Sequence, residues 1–487
     1  MKRAYAIDAL RGLAIIGMVL SSSVSSTLPA WMYHAQVGPR SGFIYDPTIC
    51  GITWVDLVFP FFLFSMGAAF PLSLTRKLNS GVTIASLLPK IIKRTLLLVF
   101  FSITIYHCTP YIILQEAGNW AYLIAILAFG GWFMSFAHFP NSSENKNRWL
   151  NCIGYLMIIV IVIFTVSTYK SSFPKGFKFS QNDIIILLLA NMAFFGAVIW
   201  LFTRKSWIIR LGIMGIFFAL RLTSNVPGSW NAALWNFNPM QLLPESITQY
   251  LYVNHTWLYQ MDSLRYLFII IPGTIVGDIL YQWINTPNEV TMLSSPNDKN
   301  RIIMVGGSMF LFIVGNLYFL FTRQLVAVLF FNILLGMINY LLLKNVKGSF
   351  PKLYRRLFSW GSFWMILGLC FEAFEGGIHK DHATMSYLFI TSGLAIFALI
   401  LFSIIIDYFQ KGKTVRYLVE CGQNPMVAYV SDSFVVVPIL TITTLLSYIN
   451  LLPKVHPWLG LISGIIITGS VMLITVLTVR KKLFWKT

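Results

Sequence analysis

The chain has 487 residues, of which 57% are hydrophobic and only 11% charged, against about 25% charged in an ordinary soluble domain. Apolar runs of about 18 to 24 residues recur from end to end, the length that crosses a bilayer core. Composition therefore excludes a soluble enzyme and predicts an all-α integral membrane protein held in a lipid bilayer. The net charge of +19 does not imply a nucleic-acid partner. The basic residues gather in short loops at alternate ends of the apolar runs, among them Arg76/Lys77, Lys90/Lys93/Arg94, Arg204/Lys205 and Arg480/Lys481/Lys482. That is the positive-inside bias of cytoplasmic loops.

In chain order, spans are predicted near 5–28, 52–74, 89–107, 119–139, 149–169, 183–203, 206–222, 263–284, 302–321, 324–343, 357–375, 384–407, 420–448 and 457–479. This makes a polytopic helical bundle of about 12–14 transmembrane helices. The lower count applies if the pair around Arg323 is one re-entrant hairpin and 206–222 is too short to cross. An even count puts both termini in the cytoplasm, in keeping with Met1-Lys2-Arg3 and the Arg480–Lys486 cluster. The first segment carries Asp8 and Arg11 and lacks a small-residue cleavage site, unlike a signal peptide. Residues 1–487 read as a single membrane domain: an N-terminal bundle (5–284) holding the active site, a cytoplasmic linker (285–301) rich in Pro, Asn and Ser, and a C-terminal bundle (302–487). The five cysteines are widely spaced with no Cys-x-x-Cys, so neither a disulfide framework nor a zinc site is expected, although one Cys50–Cys108 bridge on the outside is open.

Charged groups in apolar segments are costly and mark function. Asp8 and Arg11 lie i,i+3 on the first helix and can pair, either to lock helices together or to present the guanidinium fork to an anion. Asp56 opens the second span. It is either a helix N-terminal aspartate or the partner of His34, Arg11 or a backbone amide. His34 sits in a turn-rich segment containing Gly38, Pro39, Gly42 and Asp46-Pro47, able to fold back into a cavity. Its imidazole is suited to general-base work or to carrying an acyl group. The external stretch 223–262 holds Trp230, Asn231, Trp235, Asn236, Asn238, Glu245, Asn254, His255 and Trp257, which suits either a sugar face or an interfacial aromatic belt. Glu372, Glu375, His379, Asp381 and His382 cluster at one span's outer end without a recognised metal-ligand pattern, so a pocket rim is expected and no metal. Asn424-Pro425 breaks a helix and frees carbonyls that need partners, the edge of a cavity or hinge.

Several stretches occur in an order that resembles a known family. They are Ile7-Asp8-Ala9-Leu10-Arg11-Gly12, Trp31-Met32-Tyr33-His34-Ala35, and Gly51 to Gly67 with Trp54-Val55-Asp56 at its head. Ile378-His379-Lys380, Ser386-Tyr387, Asn424 with Tyr429-Val430, and the tail Arg480–Lys486 complete the set. Together they resemble the heparan-alpha-glucosaminide N-acetyltransferase family and, more distantly, multi-span membrane acyltransferases that begin with an Asp-x-x-Arg-Gly helix. The resemblance implies that His34 is the active-site residue. It also implies that acetyl-CoA is supplied from the cytosol, that an amino sugar across the membrane is the acceptor, and that the protein is a homodimer. This chain departs from the pattern at Ser22/Ser23, where an asparagine is expected. It also departs at Asn119-Trp120-Ala121, where a Gln-Arg pair is expected, and it lacks the luminal domain of animal members, pointing to a bacterial inner membrane.

The expected function is therefore acyl transfer from acyl-CoA to a sugar. His34 acts as base or transient carrier, and Asp56 or Asp46 orients it. Arg11, with Asp8, Asn424 and Arg94 or Lys93, meets the CoA, while Trp31, Trp54 and Lys380 meet the substrate. The alternative is an amino-sugar transporter using the same cavity without chemistry.

Overall fold

The computed structural model describes residues 4–485 apart from 110, 112–117, 141, 168–176, 178–181, 238–241, 243, 245, 247–260, 287–295 and 345. Asn238, Glu245, Asn254, His255 and Trp257 of the outer aromatic stretch lie outside the described residues, as do the middle of the 285–301 linker, Met1-Lys2-Arg3 and Lys486.

The protein is all-α. In chain order the main helices are α1 (Tyr5–Ser23), α2 (Trp54–Asn79), α3 (Ile84–His107), α4 (Asn119–Phe136) and α5 (Glu144–Ser167). Next come α6 (Ile184–Thr203), α7 (Trp207–Leu222), α8 (Leu267–Asn285), α9 (Pro296–Phe321), α10 (Leu325–Lys344) and α11 (Ser349–Phe374). The last are α12 (Met385–Ser403), α13 (Arg416–Gln423), α14 (Pro425–Ile442) and α15 (Leu459–Arg480). Helix starts follow local chemistry: Thr83, Asp183, Ser206 and Thr384 each accept a hydrogen bond from a backbone amide of the first turn, satisfying donors that the helix itself leaves unpaired. Among the described residues, 12 helices are long and apolar enough to cross a membrane. The segment around Arg323 is not re-entrant, because α9 and α10 run 26 and 20 residues. Of the other expected spans, α3 carries Lys90, Lys93 and Arg94 in its first half, and α7 has only 16 residues.

Packing groups the chain into two units, Met1–Gly81 with Phe268–Pro425, and Val82–Leu267 with Met426–Thr487. The first unit is built around α12, where 89% of the apolar window is buried. Here α1 and α13 meet backbone to backbone: a Cβ on Gly12 would sit 1.8 Å from the Leu418 carbonyl oxygen, and one on Gly422 1.8 Å from that of Asp8. Small residues at such crossings are the usual device for close helix approach in lipid. On the α9–α10 pair, Asn316 and Asn332 exchange side-chain hydrogen bonds (2.8 and 3.1 Å), and Ser308 donates to Asn339 (2.6 Å). Arg323, in the turn between them, pairs with Glu372 of α11.

In the second unit, α3 packs on α6 and α4 on α5. A two-residue antiparallel ladder joins β1 (Ala137–His138) to β2 (Phe484–Trp485), with Trp485 stacked on Phe136. Asp183 caps α6 through the Ile186 amide (3.0 Å) and accepts from the Tyr429 hydroxyl (2.5 Å). Its burial raises its carboxyl above the ordinary value.

Candidate active site

The segment after α1 is tied down before it reaches His34. Tyr33 donates its hydroxyl to the Ser25 carbonyl and accepts from the Leu28 amide (2.9 Å), and burial pushes the phenol above its usual value. Thr53, the residue before α2, donates its hydroxyl to the Tyr33 carbonyl (2.6 Å). The loop entering α2 and the loop leaving α1 are thus joined immediately beside the histidine.

Asp56 has two roles, one for each oxygen. Oδ2 accepts from the Thr53 amide (2.9 Å) and the Ala35 amide (3.2 Å), which makes it the helix-capping aspartate of α2. Oδ1 lies 2.8 Å from Nδ1 of His34. The Asp56 side chain is 1% exposed and that of His34 38%, so a buried carboxylate holds a half-exposed imidazole. A carboxylate can only accept here, so His34 Nδ1 carries the proton and Nε2 keeps a lone pair. Lys380 Nζ lies 2.9 Å from Nδ1 and 3.3 Å from Nε2.

Lys380 arrives from more than 300 residues away, and a residue missed by the sequence analysis brings it there. Gln36, 2% exposed, donates to the Asp381 carbonyl (2.6 Å) and accepts from the Asp381 amide (2.9 Å). This double bond clamps the 378–384 loop onto the His34 segment. A second bond, from the Tyr387 hydroxyl to the Asp56 carbonyl (2.7 Å), ties the start of α12 to the start of α2. In the sequence the clamp shows only as a glutamine two residues after a histidine.

The other expected residues fall in several places. Asp46 does not reach His34: its Oδ1 accepts from the Thr48 hydroxyl (2.6 Å) and amide (2.8 Å) in an Asx turn, and these bonds hold its carboxyl below the ordinary value. Trp31 is exposed on a 3₁₀ turn, and the Trp54 ring lies against Gly17 of α1. Of the acidic cluster, Glu372 goes to Arg323, while Glu375 accepts from the Met385 and Ser386 amides (2.7 and 2.9 Å) at the start of α12. No group of three or more His, Cys, Asp and Glu suited to a metal occurs among the described residues.

A second polar feature lies further along the same two helices. Asp8 and Arg11 pair at 3.7 Å. Arg11 also donates to the Ser65 carbonyl (3.3 Å) and to the Gly422 carbonyl (3.3 Å), the latter just before the Asn424-Pro425 break. The freed carbonyl expected there thus has its partner in a guanidinium, and Asn424 itself is buried as the cap of α13. Asp8 and Arg11 line a cavity of about 230 Å³ with Ala69, Ser73, Arg76 and Tyr281. Arg94 lies exposed on α3, in the other unit.

A family model described as a domain of unknown function, DUF5009, matches residues 3–280. The chain belongs to the DUF5009 family. It is also 29% identical, over 142 residues, to heparan-alpha-glucosaminide N-acetyltransferase of Mus musculus. That match takes in 27% of this chain and spans about a fifth (20%) of the relative's length. The DUF5009 match contains Asp8, Arg11, His34 and Asp56, whereas Lys380, which completes the cluster, comes from beyond it.

Proposed function

We propose that this DUF5009 protein is a membrane acyltransferase that moves an acetyl or other acyl group from acyl-CoA to the amine of an amino sugar or glycan. The observation carrying this reading is the Asp56–His34–Lys380 cluster: a buried carboxylate fixes the tautomer of a half-exposed imidazole and leaves Nε2 as a base. The name of the mouse relative, an N-acetyltransferase of a glucosaminide, supports the same class of reaction.

Acyl transfer needs a proton to leave the attacking amine as the new C–N bond forms. His34 Nε2 takes that proton, the thioester C–S bond breaks, and the CoA sulfur leaves with a proton returned from the imidazole. Lys380, beside Nε2, supplies positive charge where the thioester oxygen becomes negative. Asp56 stays ionised and orients the ring. The cavity with Arg11 and Arg76 suits CoA phosphates, which guanidinium groups bind with paired hydrogen bonds. Arg11 touches Ser65, nine residues along α2 from Asp56, or roughly 14 Å at the helical rise, a span for the thioester arm of CoA. With Arg76 and Lys77 on the cytoplasmic side, CoA enters from the cytosol and the sugar is met on the opposite face.

The test is acetyl transfer from radiolabelled acetyl-CoA to a panel of amino sugars by the purified protein and by His34→Ala. Transfer lost in the variant, with the variant still inserted and folded, is the expected result. A wild type that neither transfers acetyl nor binds CoA hands the site to sugar transport.

A further inference from the structure

The loop before α2 holds a thiol, Cys50, that the mechanism above leaves unused. Cys50 Sγ is 3.2 Å from Nε2 of His379, the residue preceding Lys380. Nδ1 of His379 is 3.1 Å from the Gly377 carbonyl. A carbonyl can only accept, so Nδ1 carries the ring proton and Nε2 presents its lone pair to the thiol. The thiol's other neighbours, the carbonyls of Thr48 (3.6 Å) and Gly376 (3.7 Å), are further away. The loop holding the imidazole is itself fixed: Gly51 donates to the Ile378 carbonyl (2.9 Å) and the His379 amide to the Thr384 hydroxyl (3.1 Å). The position facing the thiol admits no side chain, since Gly377 has φ +145° and a Cβ there would lie 2.4 Å from Sγ.

A nucleophile, a base and a group orienting the base is the arrangement of covalent catalysis. We propose that Cys50, activated by His379, is a second nucleophile of the site and takes the acyl group from a thioester before it passes to the acceptor. This rests on the acyltransferase reading and divides its single transfer into two successive ones. In the first step the Sγ–H proton passes to His379 Nε2 as the Sγ–C bond forms, and the CoA C–S bond breaks with that proton going to the CoA sulfur. In the second, the acceptor amine attacks the acyl-cysteine and gives its proton to His34. The C–Sγ bond breaks and the proton returns to the Cys50 sulfur. No oxidant or reductant enters, and Cys50 is a free thiol.

The experiment uses the full chain in detergent with radiolabelled acetyl-CoA and no acceptor, followed by acid quench and peptide mapping. In parallel, p-nitrophenyl acetate serves as an acyl donor that needs no CoA site. The expected result is one acetyl group per chain on Cys50, released by neutral hydroxylamine and absent in Cys50→Ala and Cys50→Ser. The label forms about 100-fold or more slowly in His379→Gln; when an amino sugar is then added it is discharged from the wild type and persists in His34→Ala. Because substitution at 50 can disturb folding, wild-type protein alkylated at Cys50 with iodoacetamide provides a second measurement, and it too fails to take up label. Transfer that proceeds with label on His34 or on no residue, or at an undiminished rate in Cys50→Ala, overturns the inference and spares the acyltransferase reading. Failure of both donors to acylate Cys50 also overturns it. Acylation by p-nitrophenyl acetate without any transfer from acetyl-CoA overturns the sugar-transferase reading alone.

Discussion

Replacing Asp56 with asparagine separates orientation of His34 from its presence. In the wild type the groups facing the carboxylate are donors: the Thr53 and Ala35 amides and the Thr53 hydroxyl at Oδ2, and His34 Nδ1–H at Oδ1. An amide has one acceptor and one donor end, so it cannot satisfy both sides. With its oxygen kept on the two backbone amides, its NH₂ faces His34 Nδ1. The imidazole then accepts at Nδ1 and carries its proton on Nε2, and the base is lost. The corresponding tautomer error in a serine-protease triad costs about 10⁴ in kcat, equivalent to about 5.4 kcal/mol at 1.36 kcal/mol per decade. We expect Asp56→Asn to lower kcat for acetyl transfer by about 10³- to 10⁴-fold with KM for acyl-CoA changed little, because the arginines proposed to meet CoA are untouched. The assay is steady-state transfer from acetyl-CoA to the best acceptor, with thermal unfolding in detergent alongside. An Asp56→Asn enzyme that melts like the wild type and retains kcat within tenfold would refute the assignment of the tautomer to Asp56.

Further outcomes follow from the same geometry. Arg76→Gln removes a cation that lines the cavity and should raise KM for acyl-CoA by about 10- to 100-fold with kcat nearly unchanged, the pattern of lost ground-state binding; an unaltered KM takes the cavity out of CoA recognition. Gly422→Ala drives a methyl to 1.8 Å from the Asp8 carbonyl and should cost about 1–3 kcal/mol or more, read as a lowered melting temperature. Gly336→Ala, whose Cβ meets nothing within 4 Å, is the matched control and should be neutral. Asp46 is held below its ordinary value by Thr48, so its Asx turn contributes stability above about pH 3.9, its unfolded value, and loses it as pH falls toward the lower folded value. Protease protection of the 38–51 loop should therefore fall over that acidic window in the wild type and stay flat in Asp46→Asn; equal profiles would show that the turn is not linked to this carboxyl.

The membrane bundle and the first half of the site were legible in the sequence because each rests on local signals. Helix lengths follow from apolar runs, and the start of α2 from Thr53 and Asp56 at capping-box spacing. Two readings of Asp56, helix cap and partner of His34, stood as competitors, yet each carboxylate oxygen fulfils one of them. The rest of the site was hidden by sequence separation. Lys380 entered the expected site only through the family resemblance and not through its local sequence, and the clamp joining its loop to His34 depends on Gln36, a residue type without catalytic reputation. Asp46 was a plausible orienting acid only because it lies nearer His34 along the chain; the Thr48 turn claims its oxygen first.

Asp56 and Arg11 also differ in how a charge is accommodated in apolar surroundings. Asp56 is almost fully buried and engaged by two backbone amides, the Thr53 hydroxyl and one imidazole, so its position is fixed before any ligand arrives. The contacts of Arg11 include bonds of 3.3–3.4 Å to Ser65 and Gly422 and a 3.7 Å pair with Asp8, and it borders a cavity. Long, divided contacts of this kind can be exchanged for a phosphate, whereas those of Asp56 cannot be given up without losing the helix start and the histidine together. Under the proposed acyltransferase reading, the Asp56 end of the α1–α2 pair is preorganised for proton transfer and the Arg11 end serves binding.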